Sequence, residues 1–246
     1  MGIIFVVRFA LTKYGWPQMI IFPAIMLAAM IIVAHLSLLV PRLSIWVIIS
    51  IEAGFAAILI WILSFFRDPY RISPVDERLL LAPADGRITD IETVEENGFI
   101  GGPALKIGIF LSIFDAHINR APCSVTVEKI TYRPGKYKNA ARACSAKVNE
   151  SNELDLCRTE YPKDRLIVRQ ISGAIARRIV CGVREGQKLS GGEKFGMIKF
   201  GSRTELYFAA SGNMKVLVRV GDKVKAGLTP LVKYEMQDTN NGKVQN

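Results

Sequence analysis

The sequence predicts a mainly β or α+β domain, built in part from repeated hairpins and preceded by an N-terminal helical hairpin. Two long apolar runs near the N-terminus predict the helices. Short β-rich runs, broken by glycine and proline, predict the strands. A weak internal repeat in the last third of the chain predicts the paired hairpins. With 246 residues, the chain has room for one sizeable domain and an appendage.

Composition narrows the class of protein. Half of the residues are hydrophobic and the mean hydropathy is +0.25, which is apolar for a soluble enzyme. The formal net charge of +10 indicates an anionic partner, such as nucleic acid, a membrane surface or an anionic substrate. The sequence has no zinc-finger spacing, helix-turn-helix pattern or RNP-like aromatic motif, so we expect no nucleic acid. Its four cysteines form no CxxC pair and it has only two histidines, so we expect reduced thiols and no metal.

Residues 1–68 predict a membrane-anchoring helical hairpin. No formally charged residue lies between Lys13 and Arg42, and only Glu52 is charged between Arg42 and Arg67. Each run is roughly long enough to cross a bilayer, and the short "VPRLS" between them contains a proline suited to a turn. A signal peptide would not explain the second apolar run. The pattern leaves open whether the hairpin spans the membrane or lies within one face of it.

The charges at the ends of the hairpin predict its orientation. Arg8 and Lys13 precede the first run, and Arg67 and Arg71 follow the second. Basic residues next to apolar helices favour the cytoplasmic side. We therefore expect an inner-membrane protein with both ends of the hairpin, and the following domain, facing the cytoplasm.

Residues 69–236 predict the second domain, and the polar residues 237–246 predict a disordered tail. Within the domain, "VREGQKLSGGEKFGMIKF" starting at Val183 partly matches "VRVGDKVKAGLTPLVKY" starting at Val218. Each copy has the pattern of strand, turn and strand. This resembles the paired hairpins of the biotinyl/lipoyl barrel-sandwich architecture. A carrier domain of that type needs its modified lysine in a tight hairpin, and "SGNMK" with Lys215 matches that motif only loosely.

Three short stretches combine polar groups with an unusual backbone. In "APADGRI", Asp85 precedes a glycine, which alone is typical of a plain turn. In "FLSIFDAHINRAP", the residues Asp115, His117 and Asn119 would share one face of a strand. His117 is also the only histidine outside the apolar runs, and so the only ordinary near-neutral acid–base group of the second domain. The third stretch is "FGS", which ends in Ser202.

Together these stretches resemble the phosphatidylserine decarboxylase proenzymes, in particular their short, single-domain form. The ordered set that carries the resemblance is "APADGRI", "FLSIFDAHINRAP", "YRPGKYKNA", "NE", "QISGAIARRIVC", "EGQKLSGGEKFGMIKFGSR" and "GDKVKAG". It extends over most of the chain from about Phe65 onward. The membrane hairpin ahead of these motifs agrees with the same family.

The resemblance implies that the bond between Gly201 and Ser202 cuts itself. The Ser202 hydroxyl would attack the carbonyl of Gly201 to give an ester, and elimination followed by hydrolysis would leave a pyruvoyl group. Gly201 would become the C-terminus of a β-chain and Ser202 the N-terminus of an α-chain. The pyruvoyl group derived from Ser202 would then be the only cofactor, acting as an electron sink, and no metal would be needed.

The resemblance also implies roles for other residues. Asp85 matches the motif aspartate needed for self-cleavage, and His117 matches a histidine placed against the pyruvoyl group and the substrate. Longer members carry a second histidine where this chain has Arg120, so a complete Asp-His-Ser relay is not expected. Either Asp85 with water suffices for self-cleavage or His117 serves both steps.

The expected substrate is phosphatidylserine and the expected products are phosphatidylethanolamine and CO2. Candidate substrate-binding residues are Asn119, Arg120, Arg177 and Arg178, because arginine suits both a phosphodiester and a carboxylate. The expected partners are the lipid, an anionic membrane and the protein's own two chains, with the oligomeric state, a homo-oligomer included, left open. The alternative is a membrane-tethered carrier or adaptor without enzymatic activity, which leaves Gly201 and Ser202 unexplained.

Overall fold

A computed structural model describes residues 10–16, 18–39, 44–138, 148–173, 178–199 and 202–235. The chain forms two compact units, Met1–Tyr70 and Arg71–Asn246. This division falls two residues beyond the predicted end of the helical hairpin. Gly201, Arg177 and the predicted tail lie outside the described residues.

The N-terminal unit contains the two helices that the apolar runs predict. They are α1 (Gln18–Leu39) and α2 (Ile45–Phe65), which pack against each other and follow a 3-10 turn at Lys13–Gly15. Their mean hydropathies are 2.5 and 2.3, and both are long enough to cross a membrane. Helix α1 has no buried residue, and in α2 the buried residues are Ile62 and Phe65. Such exposed apolar surfaces are typical of helices that contact lipid.

The C-terminal unit is built from antiparallel strands, as the sequence predicts. The strands described are β1 (Leu79–Leu81), β2 (Gly86–Glu96), β3 (Gly102–Leu111), β4 (Ile118–Arg120), β5 (Val125–Arg133), β6 (Ser151–Arg158), β7 (Arg165–Ile171), β8 (Arg178–Cys181), β9 (Lys188–Leu189), β10 (Lys194–Lys199), β11 (Ser202–Ala209), β12 (Met214–Val216), β13 (Lys223–Val224) and β14 (Pro230–Tyr234).

The described strands pair into three sheets. The largest has eight strands in the order β13-β2-β3-β11-β7-β6-β5-β9, and two three-stranded sheets have the orders β1-β14-β12 and β4-β10-β8. Strands β10 and β11 are joined by only two residues but belong to different sheets, so the chain changes sheet between Lys199 and Ser202. The apolar core takes residues from all three sheets, among them Leu80, Phe195 and Phe208.

The predicted hairpin repeat is confirmed by matching turns. Glycines with positive φ occur at corresponding places in the two copies, with φ of 78° at Gly186 and Gly192 and of 99° and 69° at Gly221 and Gly227. Residues with side chains rarely adopt this conformation, which explains why both copies keep glycine at these points.

The partners of the two hairpins also match, which the sequence analysis missed. The first hairpin binds the segment 121–127 and the second binds the segment 82–88 through the same pattern of backbone hydrogen bonds. The pairs are Gly186 N to Val127 O and Gly221 N to Ile88 O, and Gly192 N to Ala121 O and Gly227 N to Ala82 O, all 2.7 or 2.8 Å long. The segments "APADGRI" and "APCSVTV" are therefore equivalent halves of an internal pseudo-twofold arrangement. Asp85 in one half corresponds to Ser124 in the other.

Strand β11 carries a buried ion-pair network on one face. The guanidinium of Arg203, which is fully buried, donates to both carboxylate oxygens of Asp90 at 2.6 and 2.7 Å, to Glu205 at 2.8 Å and to the Thr89 hydroxyl at 2.6 Å. Burial alone would raise the pKa of Asp90, but the hydrogen bonds and charge of Arg203 outweigh it and hold this pKa below its usual value. This network ties β11 to β2, two strands away in the sheet.

Gly108 in β3 makes room for the buried guanidinium. A Cβ atom at this position would lie 1.9 Å from Nη2 of Arg203 and 2.7 Å from a carboxylate oxygen of Asp90. The sheet therefore needs glycine here to accommodate an arginine that crosses over the intervening strand.

We expect Gly108→Ala to destabilise the protein by about 1–3 kcal/mol, because the added methyl group forces Arg203 away from its carboxylate partners. Thermal unfolding of the detergent-solubilised chain, followed by circular dichroism, measures the loss. Gly212→Ala is the matched control, since no atom lies within 4 Å of a Cβ built there. Equal melting temperatures for the two variants would contradict this account of Gly108.

Candidate active site

Ser202 is the first residue of β11 and lies between strands β3 and β7 of the large sheet. Its side chain is fully buried, and its hydroxyl has no hydrogen-bond partner among the described residues. A buried hydroxyl without a partner costs about 1–3 kcal/mol, so proteins rarely retain one without a functional reason. The preceding residue, Gly201, lies outside the described residues.

A second buried serine lies across the ladder from Ser202. Arg203 of β11 is opposite Ile171 of β7, so continuing this register by one residue brings Ser172 opposite Ser202. Residues opposite each other in an antiparallel pair have Cβ atoms about 4.5–5.5 Å apart. The Ser172 hydroxyl is also fully buried and also lacks a partner in the described part of the chain. Ser172 lies in the motif "QISGAIARRIVC", but nothing in the sequence alone places it near Ser202.

The imidazole of His117 is oriented by the backbone. This residue precedes β4, is fully buried, and has its Nδ1 2.9 Å from the carbonyl oxygen of Asp115. A carbonyl oxygen only accepts hydrogen bonds, so Nδ1 carries the proton in the neutral ring and Nε2 carries the lone pair. This tautomer, inferred from the contact, is the one in which Nε2 accepts a proton.

A chain of buried side chains fixes β4 against β11. The amide of Asn152 donates to Gln170 at 3.1 Å, and Gln170 donates to the amide oxygen of Asn119 at 2.9 Å. Asn119 in turn donates to the Thr204 hydroxyl at 3.1 Å and to the carbonyl of Pro83 at 3.3 Å. We call these four side chains, of Asn152, Gln170, Asn119 and Thr204, the amide chain.

The amide chain brings His117 and Ser202 to the same end of the site. Asn119 and Thr204 are bonded to each other, and His117 and Ser202 each lie two residues before one of them. The carbonyl of His117 accepts from the backbone N–H of Ile198, near the C-terminal end of β10. Ser202 lies three Cα steps after that end, a distance of at most about 11 Å. Both residues therefore lie toward the point where the chain passes from β10 to β11.

Asp85 is held by contacts other than His117 and Ser202. Its carboxylate accepts from the two terminal nitrogens of Arg71 at 2.5 and 2.7 Å, and from the backbone N–H of Ala226 at 2.8 Å. These are its hydrogen-bond partners among the described residues. The following residue, Gly86, has a φ of 149°, and a Cβ there would lie 2.1 Å from the carbonyl oxygen of Phe110. Close backbone packing therefore requires glycine at position 86, next to the ion-paired Asp85.

The predicted substrate-binding residues have different environments. Arg120 is buried and donates to the carbonyl of Gly192 at 2.9 Å. The side-chain amide of Asn119 already donates to Pro83 and Thr204 and accepts from Gln170. Arg178 is exposed at the start of β8, and Arg177 lies outside the described residues. A substrate-binding role for these residues stays a prediction.

Lys199 is a charged residue near the site that the sequence analysis missed. It ends β10, three positions before Ser202, and is buried opposite Arg178. Burial, together with the positive charge of Arg178, lowers the pKa of the Lys199 ammonium. The signal was its place in "KFGSR", two residues before the Gly201-Ser202 pair. A partly desolvated cation here favours an anionic group near Ser202.

A surface cavity of about 220 Å³ lies elsewhere in this unit. Its lining includes Asp76, Cys123, Ser124 and Arg158 and none of the predicted site residues. Burial raises the pKa of the Cys123 thiol to about 12, so this cysteine is not a nucleophile near neutral pH. Within the described ranges, no group of three or more His, Cys, Asp or Glu side chains is arranged to hold a metal.

Comparison with known proteins identifies the family. The sequence model of the phosphatidylserine decarboxylase family matches residues 58–231. The chain therefore belongs to the phosphatidylserine decarboxylase family, as the motifs predict.

Curated relatives agree over most of the chain, and each is named phosphatidylserine decarboxylase proenzyme. The protein of Carboxydothermus hydrogenoformans is 44% identical over 170 residues, 69% of this chain and 78% of the relative. That of Rhodopirellula baltica is 38% identical over 220 residues, 89% of this chain and 91% of the relative. That of Symbiobacterium thermophilum is 39% identical over 219 residues, with coverages of 89% and 93%.

We expect Asn119→Ala to destabilise the protein by about 1–3 kcal/mol, because it leaves the buried amide of Gln170 without its acceptor. Denaturant unfolding of the detergent-solubilised chain measures the change. The exposed Asn97 provides the control, and Asn97→Ala should stay within about 0.5 kcal/mol of the parent. If Asn119→Ala were as stable as Asn97→Ala, the amide chain would not stabilise the contact between β4 and β11.

Proposed function

We propose that this chain is a membrane-anchored, pyruvoyl-dependent decarboxylase that converts phosphatidylserine to phosphatidylethanolamine and CO2. The enzyme forms by self-cleavage between Gly201 and Ser202. One observation carries the proposal: in a family whose relatives are named proenzymes, Ser202 follows a glycine and presents a buried hydroxyl that has no partner in the described part of the chain.

Self-cleavage needs a proton acceptor for Ser202, and His117 is the residue that supports this role best. As the Ser202 oxygen bonds to the carbonyl carbon of Gly201, the hydroxyl proton passes to Nε2 of His117, whose tautomer is set by Asp115. The peptide C–N bond then breaks as His117 passes this proton to the Ser202 nitrogen, so an ester and a free amino group replace the amide. Ser202 then loses its Cα proton, and its Cβ–O bond breaks so that Gly201 leaves as a carboxylate. Water attacks Cα, and the amino nitrogen leaves as ammonia.

The residues around Ser202 fit the pyruvoyl group that this sequence of steps leaves behind. The position is fully buried, and the hydroxyl of Ser172, opposite in the ladder, is suited to donate to a carbonyl oxygen there. When formed, the group supplies an electron sink for the loss of CO2.

The chain's other residues bind the lipid and move protons. Lys199 supplies positive charge for the carboxylate that is lost, and the arginines 120, 177 and 178 are candidates for the phosphodiester. After CO2 leaves, the α-carbon that carried the carboxylate must gain a proton, which His117 donates and then regains from water.

The membrane supplies both the substrate and the anchor. The helices Gln18–Leu39 and Ile45–Phe65 are apolar enough to lie in a bilayer, and the net charge of +10 suits an anionic surface. Lys13 before α1, with Arg67 and Arg71 after α2, favours the cytoplasmic side of the inner membrane for the catalytic domain.

The alternative of a carrier domain finds less support. Its modified lysine would have to lie in a tight turn between the hairpins. Lys215 instead lies within strand β12, opposite Lys233 of β14. A carrier role also gives no reason to bury the hydroxyl of Ser202.

We expect the purified protein to consist of two fragments, one of which covers residues 202–246 and has a blocked pyruvoyl N-terminus. Intact-mass spectrometry detects both. Ser202→Ala should stay a single chain of full length and lack decarboxylase activity, since no hydroxyl remains to attack Gly201. Ser211→Ala, nine residues downstream, is the control and should cleave normally. An uncut wild-type chain that decarboxylates phosphatidylserine would overturn the mechanism.

We expect His117→Ala to slow self-cleavage by about 10²–10⁴-fold, the usual contribution of a positioned base. Appearance of the fragments over time on a denaturing gel gives the rate, and added imidazole should restore part of it. His35→Ala, which alters the other histidine of the chain, should cleave at the parental rate. Cleavage of His117→Ala at the parental rate would exclude His117 as the base and leave it a role in decarboxylation only.

A further inference from the structure

We infer that Arg71 is a positioning residue for self-cleavage. It holds the carboxylate of Asp85 in an ion pair, so that Asp85 serves as a structural anchor rather than as a proton acceptor. The inference rests on the proposed function, since it concerns the same cleavage at Ser202. Arg71 lies outside the motifs that the sequence analysis singled out for chemistry.

The geometry of the pair is that of a fixed clamp. The two terminal nitrogens of Arg71 contact one carboxylate oxygen each, and only 7% of the Arg71 side chain and 11% of the Asp85 side chain are exposed. Arg71 also donates to the carbonyl of Ala226 at 2.8 Å, while Ala226 N–H donates to Asp85. The three residues thus form a closed ring, which restricts the orientation of the carboxylate more than a single contact would.

The clamp uses the oxygens that a base would need. One oxygen of Asp85 accepts from both Arg71 and Ala226, and the other accepts from Arg71. To take a proton from Ser202, the carboxylate would have to leave an ion pair that is almost completely removed from water. Breaking such a pair leaves an uncompensated buried charge, which is strongly unfavourable.

The other half of the pseudo-twofold arrangement shows that the fold does not require this clamp. There, Ser124 takes the place of Asp85 and Gly191 the place of Ala226, and the backbone hydrogen bonds of the two halves still match. A partly exposed serine is sufficient for the same local structure. The ion pair is therefore a specific addition to the half that contains the "APADGRI" motif.

A continuous set of contacts leads from the clamp to Ser202. Two residues before Asp85, the carbonyl of Pro83 accepts from the side chain of Asn119 at 3.3 Å and from the backbone N–H of Arg120 at 3.0 Å. Asn119 also donates to Thr204, two residues after Ser202. A fixed Asp85 thus fixes Pro83, and through Asn119 it fixes the start of β11.

The test measures the rate of self-cleavage in the full-length protein, in detergent, for four variants. They are Arg71→Ala, Arg71→Lys, the charge-swapped double variant Arg71→Asp with Asp85→Arg, and the control Arg184→Ala. Arg184 is exposed, and it takes no part in the hydrogen bonds and the ion pair of the clamp. Fragment appearance is followed by intact mass, and folding is checked by the melting temperature of each variant combined with Ser202→Ala.

We expect Arg71→Ala to cleave at least tenfold more slowly, and Arg71→Lys to fall between it and the parent, because lysine keeps the charge but loses the fork. The swapped variant should recover part of the loss. Arg184→Ala should match the parent, and decarboxylation per mole of cleaved enzyme should change less than the cleavage rate.

Two outcomes would overturn the inference while leaving the proposed function intact. One is parental cleavage by Arg71→Ala. The other is a folded swapped variant that cleaves no faster than Arg71→Ala, since Asp85 would then act through its carboxylate rather than as an anchor. If the wild-type protein itself did not cleave, the proposed function would fail instead.

Discussion

Strand β11 has buried polar side chains at the centre of a sheet, and the rest of the site depends on the hydrogen bonds and ion pairs that these side chains form. Its successive residues point to opposite faces, so Arg203 and Glu205 meet one set of partners while Ser202 and Thr204 meet another. Arg203 is neutralised by carboxylates and accommodated by Gly108. Thr204 is bonded to Asn119. With both faces fixed this way, the Ser202 hydroxyl is placed by a strand that is bonded on both faces, as the proposed cleavage of the preceding peptide bond would require.

The position of His117 also depends on the hydrogen bonds of the polar side chains of β11. His117 precedes a short strand of a different sheet, and the amide chain is what brings that strand against β11. Its ring is set by a backbone carbonyl, so no carboxylate is needed to select the tautomer. A chain with Arg120 in place of a second histidine can therefore still present a proton acceptor. The carboxylate of Asp85 is then available for a structural role.

Sequence patterns predicted the elements and motifs better than they predicted the contacts. Apolar length and glycine positions are local properties, so the helical hairpin, the β-rich unit and the repeated turns followed from them. The pairing of Arg203 with Asp90 joins residues 113 positions apart, and that of Arg71 with Asp85 joins two segments 14 positions apart. Alternation shows which face a side chain occupies but does not name its partner there. Ser172 was missed for the same reason, since its place opposite Ser202 depends on register.

The two halves of the pseudo-twofold arrangement share their backbone hydrogen bonds but differ in the side chains they carry. Both halves bind a glycine-rich hairpin through the same backbone hydrogen bonds, and these bonds need no particular side chain. Side chains at equivalent positions are therefore free to differ, and Asp85 and Ser124 do. The half with Asp85 has an additional ion pair, and through Pro83 it contacts Asn119 of β4, which donates to Thr204 of β11. Because these backbone hydrogen bonds form without an ion pair in the half with Ser124, the Arg71–Asp85 pair is free to serve the proposed positioning role.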